Sequence, residues 1–332
     1  MDTSDTIAQP PPTYKDCRTG LIVFGVLEII LGAFCVLLLP MTIVGQVMAA
    51  KRNGSEFDFS LAVPTLLTFA VLAAGLIWLG IGSIQSRRWA RALLLCLGCI
   101  GLCVGLVSMA VIIPVLGSLE VTMRQQGREM PPGALVVAKF VMIATITVIY
   151  VLIPGSLVLF YRRANVKLTC EARDPILRWT DHCPLPVIAM CIVQLFGAIY
   201  VLLMPRFGAV VPLAGFLVTG WFARILWFGF AIFSLYGMRG FYQLRPSAWL
   251  VYTVGTTAIG LSSIITFMRI DLLDYYRSVG LSDGQLKQMA ASPLVQGHTI
   301  VWITALSLGL FGVFLLYLRR YFVARESHCT LS

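Results

Sequence analysis

What most limits the folds open to this chain is a run of about 20 apolar residues that recurs along its whole length. Wound as a helix, a segment of that length matches the thickness of a bilayer's hydrocarbon core. Within hydrocarbon every backbone N–H and C=O needs an internal partner, which leaves helices or the strands of a closed barrel. The runs are continuous, without the alternation of apolar and polar positions that barrel strands show. The expected fold class is therefore all-α integral membrane. Composition excludes the soluble alternative: 58% of residues are hydrophobic and 12% are charged, against roughly 25% charge in soluble chains.

The hydropathy pattern predicts eight spans, at 20–44, 62–85, 90–116, 134–161, 185–205, 210–236, 248–270 and 299–318. Two stretches nearly coincide, GAFCVLLLP from Gly32 to Pro40 and GAIYVLLMP from Gly197 to Pro205. Other matches follow in the same order: Pro64 and Pro212 near the next span's start, Trp78-Leu79-Gly80 and Trp227-Phe228-Gly229, Trp89 and Trp249. Phe160-Tyr161-Arg162-Arg163 closes one half and Tyr317-Leu318-Arg319-Arg320 the other. The expectation is two four-helix repeats, at 19–165 and 184–321. They are flanked by a disordered tail at 1–18 and a C-tail at 322–332, and joined by a polar linker at 166–183. Four spans per repeat make the copies parallel, related by an axis along the membrane normal.

Charge gives the orientation. Arg and Lys gather in the N-terminal tail, around Arg87, Arg88 and Arg91, in the linker, at Arg239 and Arg245, and in the C-tail. The opposite side carries Glu56, Asp58, Glu120, Glu129, Asp271, Asp274 and Asp283. By the positive-inside rule both termini are cytoplasmic. The N-terminus is polar and acidic, unlike a signal peptide, so the first span is expected to stay as an anchor. Arginine far outnumbers lysine, the codon signature of a GC-rich bacterial genome, which makes the membrane the plasma (inner) one. The net charge of +10 is accounted for by orientation and calls for no nucleic acid. The partner the sequence implies is the lipid bilayer; protein partners are not readable from it. Among the outer loops, Ser282 and Gln285 form a capping box opening a short helix to about residue 291. Asp271–Arg277 is expected to continue span seven as an exposed turn.

Residues with chemistry are few. His182, His298 and His328 all lie in loops or tails, which excludes haem held by paired histidines within the bundle. No metalloprotease, nucleophile-elbow or phosphate-loop pattern occurs, so no enzymatic activity and no cofactor is expected. Two charges stand inside expected spans, Glu28 in span one and Arg224 near the middle of span six. Ionised side chains there are costly unless paired or wetted. Their repeat counterparts, Val193 and Gly75, are uncharged, and a Glu28–Arg224 pair across the halves would satisfy both. Lys139 lies close enough to the end of span four to snorkel.

Cys96, Cys99 and Cys103 interleave with Gly98, Gly101 and Gly105 in span three. This reads as a small-residue packing face or, less simply, a soft-metal site. Cys17, Cys170, Cys183 and Cys329 flank the two halves and would form a metal site if pseudo-twofold packing gathered them, since four thiolates suit zinc. Pro11-Pro12-Thr13-Tyr14, Asn53-Gly54-Ser55 and the C-terminal Cys329-Thr330-Leu331-Ser332 match a WW-domain ligand, a glycosylation sequon and a prenylation box. Each is short enough to arise by chance. The leading functional expectation is a small-molecule transporter or permease-like protein with a pathway near Glu28 and Arg224. The alternative is a non-transporting membrane scaffold or sensor whose polar residues are structural.

Overall fold

The computed structural model describes residues 14–52, 59–125, 132–203, 209–281 and 299–329, together with Leu286, Ala290 and Val295. Pro11–Thr13, the sequon, Pro205, the Ser282–Gln285 capping box and residues 330–332 lie outside the described residues. Eight helical segments among the described residues are long and apolar enough to cross a membrane.

Helices α1 (Arg18–Arg52), α2 (Phe59–Ile84) and α3 (Arg88–Gln125) occupy the first three expected spans. The fourth is composite: α4 (Pro132–Thr147) runs through a π-helical turn at Val148–Leu152 into α5 (Ile153–Tyr161). The turn has a local cause. Pro154 has no N–H to give the Tyr150 carbonyl one helical turn earlier, so the ladder widens there. Gly105 of α3 lies directly against that carbonyl, where a Cβ would collide with it.

The linker is structured. Helix α6 (Ala164–Arg173) and a 3-10 turn at Trp179–Asp181 lead to α7 (Leu185–Leu203). The expected helix at 210–236 begins instead as a β-hairpin, β1 (Val210–Leu213) and β2 (Phe216–Thr219), and only then becomes α8 (Gly220–Tyr242). Ala214 and Gly215 both have positive φ, 49° and 95°, the backbone of the tight hairpin turn. Their amides are taken by hydroxyls of α9 (Pro246–Arg269): Ala214 N donates to Ser262 Oγ at 2.7 Å and Gly215 N to Thr266 Oγ1 at 2.9 Å. The Asp271–Arg277 stretch does not continue α9. The chain turns extended at Ile270 and restarts as α10 (Leu272–Val279), with Leu272 buried and Gly280 at φ 97° ending it. Helix α11 (Thr299–Cys329) runs past the expected end of span eight, and Phe322 is buried in the core.

One buried cluster draws on every spanning segment near the linker: Leu21, Leu79, Leu94, Phe160, Val187, Phe241, Tyr252 and Leu318 are among its members. The closest helix pairs are α1 with α2 and α3 with α5 in the first half, then α7 with α8 and α9 with α11 in the second. Helix α3 also packs on α7, which joins the halves. There Cys96 Sγ donates to the Leu185 carbonyl at 3.3 Å. Cys99 and Cys103 are exposed, while Gly98 and Gly101 face Pro154 and its neighbours on α5. The glycines, rather than the thiols, form the close face of α3.

The α2–α3 and α8–α9 connections share one geometry. Ser86 and Leu244 each take a left-handed conformation, with φ of 55° and 53°. Arg87 N donates to the Gly82 carbonyl at 2.9 Å and Arg245 N to the Gly240 carbonyl at 3.0 Å, the wide bond of a Schellman cap. In both, the first glycine lies against an alanine of the next helix, Ala90 or Ala248. The shared pattern, G-x-x-Q-x-R-x-x-A, starts at Gly82 and at Gly240. It is out of register with the Trp89–Trp249 match by two residues.

Candidate functional site

Glu28 sits where α1 and α2 approach most closely. Cβ atoms built on Gly25 and Gly80 would each come within 2.7 and 2.6 Å of the other residue's carbonyl, so the backbones meet with nothing between them. The Glu28 side chain passes this crossing and is 1% exposed. Its Oε1 lies 3.0 Å from Tyr161 Oη at the end of α5. Tyr161 Oη lies 2.6 Å from Ser83 Oγ of α2, and Ser83 Oγ lies 3.0 Å from the Leu21 carbonyl of α1. Four oxygens from three helices thus stand in one row.

A proton count decides what the row can do. Its three links need three protons. Ser83 and Tyr161 bring one each and the Leu21 carbonyl none. With Glu28 carrying its own proton the row closes: Glu28 donates to Tyr161, Tyr161 to Ser83, and Ser83 to Leu21. With Glu28 ionised, Tyr161 donates to the carboxylate, and Ser83 must choose between its two neighbours. The second carboxyl oxygen, Oε2, is buried with no hydrogen-bond partner among the described residues.

Arg224 is elsewhere. Because the hairpin takes up the first part of the expected span, Arg224 falls in the second turn of α8, near its N-terminal end, and is exposed. No ion pair among the described residues joins it to Glu28 or to any other carboxylate. The second half has its own buried polar side chain, Gln194 of α7, 1% exposed and against Gly237 and Tyr252. It stands one residue past Val193, the repeat counterpart of Glu28. Sequence reading missed Gln194, Tyr161 and Ser83 alike; a polar residue next to an aligned charge was the signal available for the first.

Of the four flanking cysteines, two come to one cavity. Cys17 Sγ donates to the Lys15 carbonyl at 3.4 Å, and the Cys17 amide donates to Thr169 Oγ1 of α6 at 3.0 Å. Cys170 and Cys183 line a cavity of about 220 Å³ on the linker face. Cys329 ends α11, and its side chain lies outside the described residues. Among the described residues no three His, Cys, Asp or Glu side chains are grouped to hold a metal ion. Burial pushes both cavity thiols up to about 11, with the Arg91 guanidinium pulling Cys170 part of the way back.

The linker is tied down by charge. Asp174, 1% exposed, accepts from the Arg88 amide at 3.3 Å at the start of α3 and pairs with Arg87 at 3.5 Å and Arg178 at 3.6 Å. Asp16 accepts from the Arg18 amide at 3.0 Å and from Arg173 at 2.9 Å. Those bonds, Arg173 first, hold its carboxyl below the usual range. A second cavity of about 460 Å³ opens at the far end between α9, α10 and α11, beside Arg269 and Asp271.

Comparison of the chain with protein-family models, with curated proteins and with solved structures found no match.

Proposed function

We propose that this chain is a multi-pass protein of the plasma (inner) membrane, with both termini cytoplasmic, that serves as a non-transporting scaffold or sensor. One observation carries the reading. Glu28, a buried charge-bearing residue among those described, makes its hydrogen bond inside its own half, on a row ending at the Leu21 carbonyl. A transport pathway between the halves would place polar groups at their seam. The described seam between α3 and α7 is instead held by a buried thiol on a backbone carbonyl.

We read the architecture as two parallel four-helix repeats. The matched turns at Ser86 and Leu244, with their common G-x-x-Q-x-R-x-x-A pattern, support duplication, as does the same order of close helix pairs in each half. The buried polar position is also occupied twice, by Glu28 and by Gln194. These serve docking of helices in each half, which suits a rigid scaffold.

Thiol labelling in sealed vesicles tests the reading. Glu28→Cys, in a background with Cys99→Ala and Cys103→Ala, should react with a membrane-impermeant maleimide no faster than that background. Labelling from either side would mean water reaches the site, and would favour the transporter. The same vesicles report orientation. Arg163→Cys should label from the cytoplasmic side and Ser278→Cys from the outer side; both labelling on one side would end the topology.

A further inference from the structure

The cavity on the linker face has a charge and hydrogen-bond imbalance that the fold does not use. Its wall carries three cations, Arg88, Arg91 and Lys167, and two carboxylates, Glu171 and Asp181. The carboxylates are engaged by the other two cations. Arg88 reaches Glu171 at 3.4 Å and Asp181 at 3.3 Å, and Lys167 reaches Glu171 at 3.8 Å. Arg91 is left over. Its Nε donates to the Tyr161 carbonyl at 3.1 Å, and its guanidinium has no carboxylate in ion-pair range among the described residues. Thr180 adds a second, independent sign. It lines the cavity, is 3% exposed, and its Oγ1 has no hydrogen-bond partner among the described residues. Leu185 forms part of the wall as the first residue of α7, whose N-terminal end contributes partial positive charge.

We infer that this cavity binds a phosphate group, carried by an anionic lipid headgroup or as free phosphate. A guanidinium without a direct ion pair, an exposed ammonium and a buried hydroxyl around one hollow match an anion with several acceptor oxygens. The cavity lies at the ends of α3, α5 and α7, the level at which a spanning bundle meets headgroups, and basic pockets between spanning helices are known binding places for them. The lipid source depends on the membrane reading of the chain; the phosphate source does not.

Native mass spectrometry of the full chain released from detergent tests the site, with phosphatidylglycerol and phosphatidylcholine offered in equal amounts. The wild type should retain phosphatidylglycerol, and Arg91→Gln should weaken retention about tenfold. Thr180→Val and Lys167→Gln, a near-isosteric change and a change at an exposed side chain, should weaken it several-fold with unaltered elution, which covers the case of an unstable Arg91 variant. Loss of the bound lipid on adding millimolar inorganic phosphate identifies free phosphate as the ligand; retention identifies the headgroup. Equal retention of the two lipids, or equal retention by wild type and all three variants with no binding of inorganic phosphate, overturns the site.

Discussion

Ser86 and Leu244 hold the same left-handed backbone, with φ of 55° and 53°, at the α2–α3 and α8–α9 turns. An L-residue there costs about 1–2 kcal/mol that glycine would not. Ser86→Gly should therefore stabilise the protein by about 1 kcal/mol, read as a higher Tm in detergent. Leu244→Gly gains the same relief but loses a side chain packed on the core, so its change should be smaller or negative. A Tm drop for Ser86→Gly would mean the turn is held by the serine side chain rather than by the backbone cap.

The oxygen row makes a graded mutant series. Tyr161→Phe removes the central hydroxyl, leaves Glu28 and Ser83 without it, and should cost about 1–3 kcal/mol. Glu28→Gln keeps a donor for Tyr161 and should cost less. The double mutant Glu28→Gln, Tyr161→Phe should be non-additive by at least about 0.5 kcal/mol, whereas Glu28→Gln with Arg224→Gln should be additive within that margin. Coupling of the second pair alone would restore the pairing across the halves.

Asp174 holds the start of α3 and two arginines at once, Arg87 of the α2–α3 turn and Arg178 of the linker. Asp174→Ala should destabilise by about 1–3 kcal/mol. Asp174→Asn should cost less, since its amide oxygen still caps the Arg88 amide. Equal losses in chemical denaturation would show that charge, rather than the cap, supplies the stability.

Cys170 and Cys183 should be slow thiols. With both pushed up to about 11, about one in a thousand is thiolate at pH 8, against about one in four for an ordinary thiol. Burial opposes the charged form, so the reactive fraction grows as pH rises. Their alkylation by iodoacetamide, followed by peptide mass spectrometry, should climb about tenfold per pH unit from 8 to 10. A rate that levels off by pH 9 would contradict the buried placement.

The spans were legible because their apolar runs carry a strong, local signal. The hairpin was not, although Val210, Val211, Val218 and Thr219 flank Ala214-Gly215 as strand residues flank a turn. A short apolar run reads equally as helix or strand, and here it abutted a real helix. Reading it as helix puts Arg224 at mid-span rather than near the N-terminal end of α8, and so makes it a partner for Glu28. Glu28 itself stood out as a charge among apolar neighbours. Its partners did not, because Tyr161 and Ser83 reach it only through the close crossing at Gly25 and Gly80, a long-range fact of packing. The G-x-x-Q-x-R-x-x-A turn was hidden by aligning on the tryptophans, two residues out of step.

The length of α1 has a consequence for the surrounding lipid. The segment of α1 that could span a membrane runs from Arg18 to Met48, 31 residues, about 46 Å at helical rise. A hydrocarbon core is about 30 Å thick, so tilt alone would have to reach about 50°, outside the usual range for bilayer helices. Helix α2, bound along α1 through Gly25 and Gly80, runs 26 residues, about 39 Å at helical rise. Both are longer than such a core, α1 by the wider margin. On the proposed membrane reading, the far end of α1 would draw the bilayer thicker beside it, and acyl-chain length becomes a variable to which stability should respond.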